Sequence, residues 1–177
     1  MTGSDAAAAP EPEFSAPLPV AALDGGPVRR TLEADAAARK RLARRFDAPA
    51  IEALSGEVLL ERDGRDVVAM GHVRGTVERT CVVTLEPMIE TIASPFRVRF
   101  VRDLDAAPVE DDLDVEPLTG DAIDLGELLA QQASLALAPH PRKPGASVDA
   151  ARLRDPSDAG AFAGLADLAK PTSRGDA

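Results

Sequence analysis

From Arg65 to Leu85 the chain reads RDVVAMGHVRGTVERTCVVTL, and small or apolar residues recur at every second position. Val67, Ala69, Gly71, Val73, Gly75, Val77, Cys81, Val83 and Leu85 all share odd parity. Strand side chains alternate between two faces, so the run is predicted to be one long strand with these residues on its buried side. Arg79 is the one misfit, and a bulge near Gly75 or Arg79 would shift the parity. Upstream, Asp63-Gly64 separates the run from EVLLER; this dipeptide tolerates positive φ and marks a tight hairpin turn. Downstream, Glu86-Pro87 marks a second turn, and Met88 to Val101 returns with Phe96, Val98 and Phe100 alternating. The expectation is an antiparallel sheet of at least three strands.

Two helices flank this sheet in the sequence. In DAAARKRLARRFD, Asp35 is a fitting N-cap, and Ala38, Leu42 and Phe46 fall on one face at four-residue spacing. Later, Asp124 opens a helix with Glu127 three residues on, a capping-box pattern, and Pro139 closes it. Leu125, Leu128, Leu129, Leu135 and Ala136 supply its apolar face, with Gln132 among them. Gln132 then either caps a loop backbone from inside or meets a partner. FSAPLPVAAL (14–23) and VRRTLEA (28–34) read as short strands on either side of Gly25-Gly26, and Asp103 to Pro117 as an acidic loop. The predicted class is α+β: long hairpin strands packed with two to three helices, and flexible termini. Residues 1–13 are expected to be a disordered tail and 14–145 the folded domain. The remainder, 146–177, is expected to be weakly ordered, with a short helix over about 160–170 carrying Phe162, Leu165 and Leu168.

Composition narrows the function. The chain has 177 residues, enough for one domain with a modest core. Its formal net charge of −10 argues against a surface that embraces nucleic acid all round; any RNA contact has to be local, and an acidic body suits a basic protein partner. A single cysteine rules out an internal disulfide framework and suits a reducing compartment. MTGSDAAAAPEPEF lacks the basic start and apolar run of a signal peptide, and no segment approaches the roughly 20 apolar residues of a membrane span. A cytoplasmic protein with no membrane partner is expected; its oligomeric state is left open.

Catalytic and metal readings fare poorly. Cys81 as a nucleophile needs a nearby base, and His72 points to the other face of a regular strand. Zinc held by Cys81, His72 and His140 lacks a fourth ligand and the usual spacing. Glu110, Asp111, Asp112, Asp114 and Glu116 form a carboxylate run with nothing to fix its geometry for a metal. There is no phosphate-cradling glycine loop, dinucleotide fingerprint or Ser-His-Asp arrangement, so no cofactor is expected. The basic residues are better organised. Arg39, Lys40, Arg41, Arg44 and Arg45 crowd one helix, and Arg29, Arg30, Arg142 and Lys143 are candidates to join them in a phosphate-binding patch. The alternative is that they complement the helix dipole and keep the surface soluble. No aromatic platform accompanies them, which argues against direct reading of RNA bases.

Four segments resemble the YceD family, bacterial proteins linked to accumulation of large-subunit (23S) ribosomal RNA. These are VRGTVERTCVVTLEP, with Gly75, Cys81, Leu85 and Pro87; DAIDLGELLAQQASLALAP, with Asp124, Leu125 and Pro139; the loop PRKPGA; and the terminal AGAFAGLADL, with Phe162. The likeness spans about residues 14–170. Relatives that carry Cys-x-x-Cys at the first segment often have further cysteines after the helix, which implies a structural zinc site in them. Here Thr84 replaces the second cysteine and PHPRKPGAS has none; Gln132 stands where relatives tend to have Glu. The resemblance implies a non-enzymatic ribosome-biogenesis factor. Its partner is ribosomal RNA or a pre-ribosomal particle docked on the basic helix, or a basic ribosomal protein or assembly factor held by the acidic surface. An RNA-processing enzyme using the acidic loop is the alternative from another class.

Overall fold

The computed structural model describes residues 12–103 and 114–147. The chain divides into two compact units, 1–143 and 144–177, and of the second only 144–147 are described. The expected helix over 160–170 with Phe162 lies outside the described residues, as do Glu110, Asp111 and Asp112 and most of the expected N-terminal tail.

In chain order the elements are β1 (Pro17–Pro19), β2 (Val28–Glu33), α1 (Ala36–Arg45), β3 (Ala50–Asp63), β4 (Asp66–Thr80), β5 (Pro87–Val101), β6 (Asp114–Pro117), β7 (Ala122–Asp124) and α2 (Leu125–Ala136). A five-stranded sheet runs β2-β3-β4-β5-β6, and a two-stranded one pairs β1 with β7. The class is α+β, as the patterning predicts. The sheet is antiparallel except at one edge, where β6 lies parallel to β5. Part of the expected acidic loop, Asp114 to Pro117, is therefore strand.

Alternation sets the core. Val67, Ala69, Val73 and Val77 of β4 are buried beside Leu54, Val58 and Leu60 of β3 and Ile92, Phe96, Val98 and Phe100 of β5. Leu42 of α1 and Leu125, Leu128 and Leu129 of α2 join the same cluster, so both helices cover this one face. The opposite face shows His72, Arg74, Thr91 and Arg97 to solvent, the one-sided pattern of an antiparallel sheet. Each fully buried leucine or valine contributes about 1.5–3 kcal/mol, and the eleven largest of them come from the sheet and both helices.

Four local expectations are corrected. The bulge is on β3, where Glu52 is skipped between Ile51↔Val77 and Ala53↔Thr76, while the β4–β5 register is unbroken from Val67 to Thr80. That bulge lets Ile51 and Leu54, three apart, both face the core. Next, β4 ends at Thr80, so Val83 and Leu85 leave the buried face; Leu85 is 77% exposed with a φ of 59°. Then, 14–23 is not one strand: Pro17 and Pro19 bracket a three-residue β1, and Val20–Leu23 form a 3-10 turn. Finally, Leu135 points outward at 73% exposure.

Candidate nucleic-acid interface

Asp35 caps α1, its carboxylate accepting from the Ala38 N–H at 2.7 Å, and Ala38, Leu42 and Ala43 turn inward. The helix's cations are thereby dealt to different surroundings. Arg39 donates to the Ala34 carbonyl at 2.6 Å, and Arg41 to the Glu13 carbonyl at 3.0 Å. Arg45 grips both carboxylate oxygens of Glu127, each at 2.7 Å, and approaches Glu13 at 3.5 Å. These three cations are engaged by the protein's own acceptors. Lys40 and Arg44, one turn apart, are exposed and make no hydrogen bond or ion pair among the described residues.

Both line a groove between α1 and the start of β3, floored by Ala43, Ala48 and Ile51. A second groove shares Ala43, Arg44, Ala48 and Pro49 and runs on to Thr80, Val82, Pro139 and Pro141. Arg44 stands at their junction. Arg142 follows directly on Pro141, is exposed, and has no partner among the described residues. Lys143 is instead paired with Glu86 at 2.7 Å. Arg29 is paired with Glu57, and Arg30 donates to the Arg29 carbonyl; both lie on the edge strand β2 and line neither groove. Of the predicted patch, the structure thus brings together Arg39, Lys40 and Arg44 in one groove, while Arg142 lines neither groove and only adjoins Pro141 in sequence. Asp47, at a left-handed φ of 49°, is the acidic member of the second groove.

Cys81 sits just beyond β4 and is fully buried. It heads the turn to β5: its N–H donates to the Glu86 carbonyl, and its own carbonyl accepts from Leu85, both at 2.9 Å. Its sulfur accepts from the Lys143 N–H at 3.4 Å and the Thr84 N–H at 3.5 Å. The Thr84 side chain, then these two amides, bring its pKa from 9.0 down to about 6, against the opposing pull of burial. No histidine among the described residues bonds its sulfur: His72 is exposed on the other sheet face, and His140 is exposed in the 139–143 loop. Among the described residues no three His, Cys, Asp or Glu side chains gather to hold a metal ion. With Cys81 the single cysteine of the sequence and Thr84 three residues on, a zinc site of the kind the relatives' cysteines imply does not fit the residues present.

Gly75 lies on the core face, where an added Cβ would press the Ala53 carbonyl at 3.1 Å. Pro87 opens β5 opposite Thr80. Asp124 caps α2 through the Gly126 and Glu127 N–H groups at 2.9 and 3.2 Å. The capping box is only half formed, because Glu127 turns to Arg45 rather than back toward the cap. Gln132 is buried at 7% exposure on the apolar face, as its spacing predicts. Pro139 follows the helix end at Leu137 and walls the second groove. In β6, burial, then the Asp114 and Glu127 charges, push the Glu116 carboxyl above its ordinary range.

Sequence reasoning missed the Arg79–Glu90 pair. Arg79 reaches Glu90 and the Ala138 carbonyl, each at 3.3 Å, and Glu90 accepts from the Ala138 N–H at 2.7 Å. The break in parity at Arg79 was its signal: a cation facing inward needs an inward carboxylate.

The family model described as "Large ribosomal RNA subunit accumulation protein YceD" matches residues 69–168, more than half of the chain. The chain belongs to the YceD family. No curated protein and no solved structure matches it. The matched region takes in most of β4 and all of β5, α2 and the 139–143 loop, so the Cys81 turn and the Arg142 loop fall inside it, whereas α1 lies outside. Membership ties the chain to ribosome biogenesis and to the large ribosomal RNA; the family is described as an accumulation protein, not as an enzyme. No helix among the described residues is long and apolar enough to cross a membrane.

Proposed function

We propose that this YceD-family chain supports accumulation of 23S ribosomal RNA without catalysis, by holding RNA or a pre-ribosomal particle in the α1 grooves through phosphate contacts. The observation that carries this reading is the pair Lys40 and Arg44, without partners among the described residues and lining one groove, with Arg44 also at its junction with a second, in a protein of net charge −10. In so acidic a chain, a polyanion is favoured only where cations without acidic partners cluster, and this helix supplies such a cluster. Arg142, next in sequence to the groove-lining Pro141, is the further cation this reading assigns to RNA. Alanines and prolines line the grooves, with no aromatic side chain to stack a base, so the contacts suit backbone rather than sequence. Work in the cytoplasm fits this role.

The test is the ratio of large- to small-subunit ribosomal RNA in cells lacking the protein. The ratio falls without it and recovers with the wild-type gene, but not with a K40E/R44E/R142E variant made in equal amount. Full recovery with that variant rejects the groove and favours the acidic body as a holder of a basic ribosomal protein or assembly factor. Alanine at Asp111, Asp112 and Asp114 addresses the enzymatic alternative: an unchanged processing pattern removes it.

A further inference from the structure

The turn and loop around Cys81 are joined by more than the sulfur. The Val82 N–H donates to the Pro141 carbonyl at 2.9 Å, and Lys143 pairs with Glu86 at 2.7 Å. Arg79 and Glu90 hold the two sides of the Ala138 backbone. The Lys143 N–H closes the set on the Cys81 sulfur, across 62 positions of sequence. Segment 79–90 thus grips segment 138–143 at five points. We propose that this network is a metal-free clasp that fixes the 139–143 loop on the β4–β5 turn and so positions Arg142 beside the second groove.

The chemistry favours this arrangement. A buried acceptor left without donors is costly, and so is a buried donor left without an acceptor. Cys81 offers one acceptor to the Thr84 and Lys143 amides together, so the sulfur centres the turn as a metal would. Thr84 in place of a second cysteine removes a competing ligand and supplies one of the amides. Cys81 and Lys143 are positioning residues here: neither lines the groove. The clasp stands on its own geometry, and only its effect on Arg142 rests on the groove reading above.

The full chain, made in zinc-supplemented medium, is tested by elemental analysis, amide hydrogen exchange and retention of a large-subunit ribosomal RNA transcript. The expected result is no stoichiometric zinc. Cys81→Ala speeds exchange at the Lys143 amide by about tenfold or more relative to the Val73 and Val98 amides, and Cys81→Ser recovers part of that protection. Lys143→Pro, which deletes the donor, weakens RNA retention more than Lys143→Ala, which keeps it. One zinc per chain, or Lys143 exchange unchanged in Cys81→Ala, overturns the clasp. A loosened loop with unchanged RNA retention overturns its positioning role. A protected loop together with a K40E/R44E/R142E variant that still binds supports the clasp and strikes at the groove reading alone.

Discussion

Arg45 and Glu127, 82 residues apart, meet in a two-pronged ion pair that ties α1 to the first turn of α2. Hydrogen bonding from Arg45 holds the Glu127 carboxyl below its ordinary value of 4.5, although burial pushes the other way. Both side chains remain about one-third exposed, at 32% and 33%, so solvent screens the pair. Removing it by Arg45→Ala is expected to cost about 0.5–1 kcal/mol at pH 7. A carboxyl with a depressed folded pKa stabilises above its unfolded pKa and loses that contribution as pH falls through the folded value. The difference between wild type and Arg45→Ala in urea melts therefore shrinks from pH 7 to pH 3. An equal difference at both values shows that packing, not charge, is what Arg45 contributes.

Asp124 is a junction as well as a cap. Its carboxylate accepts from the Ser15 hydroxyl at 2.6 Å and the Ala16 N–H at 2.8 Å, in addition to the two α2 amides. Burial raises its pKa, but these donors, Ser15 first, outweigh it and hold the group below 3.8. Asp124→Ala should cost about 1–2 kcal/mol in denaturant unfolding, at the upper end for a cap because β1 is loosened too. Asp124→Asn should recover part of it, since an amide oxygen still accepts. The depressed pKa places the loss of this contribution below the ordinary aspartate range, so the gap between wild type and Asp124→Asn is expected to stay level from pH 7 to 5 and to close below 4.

Gly71 tests the sheet's packing. A Cβ there would overlap the Glu57 carbonyl oxygen and come within 2.9 Å of the Phe96 ring. The obstacle is backbone of the neighbouring strand, which cannot rotate away. Gly71→Ala should destabilise by about 1–3 kcal/mol or prevent folding, whereas Gly75→Ala, facing 3.1 Å to a carbonyl and a flexible Ile92, costs less. Chemical denaturation of the two variants side by side decides it; equal costs would mean the strands can separate at Gly71.

Much of this fold is legible in the sequence because period-two patterning dictates it: β4 and β5 need one buried face, and Asp63-Gly64 can only turn. What patterning could not show depends on partners distant in sequence. Glu52 bulges because Ile51 and Leu54 both have core to reach, and neither residue alone signals it. β6 pairs in parallel through contacts with β5 that an acidic composition hides. The site divides the same way. Five cations on one helix are visible at a glance, but which of them are free depends on Glu13, Ala34 and Glu127, and no spacing rule reaches these. Cys81 read as a strand residue because its parity fits, although the strand had already ended at Thr80.

That division gives the basic helix two kinds of arginine, and salt separates them. Taking one cation away from a bound phosphate lowers the slope of log affinity against log salt by about 0.7 for single-stranded and about 0.9 for duplex nucleic acid. Lys40, Arg44 and Arg142, if all three meet phosphates, should together lower that slope by about 2–3 on substitution to Ala, with melting temperature held near wild type. Arg41→Ala with Arg45→Ala should do the reverse: the slope stays while thermal stability falls, because those cations already serve Glu13 and Glu127. The measurement is RNA binding by fluorescence anisotropy across a salt series, paired with thermal melts of each variant. A slope that responds to Arg41 and Arg45 but not to Lys40, Arg44 and Arg142 would place the phosphates on the α1–α2 seam instead of in the grooves.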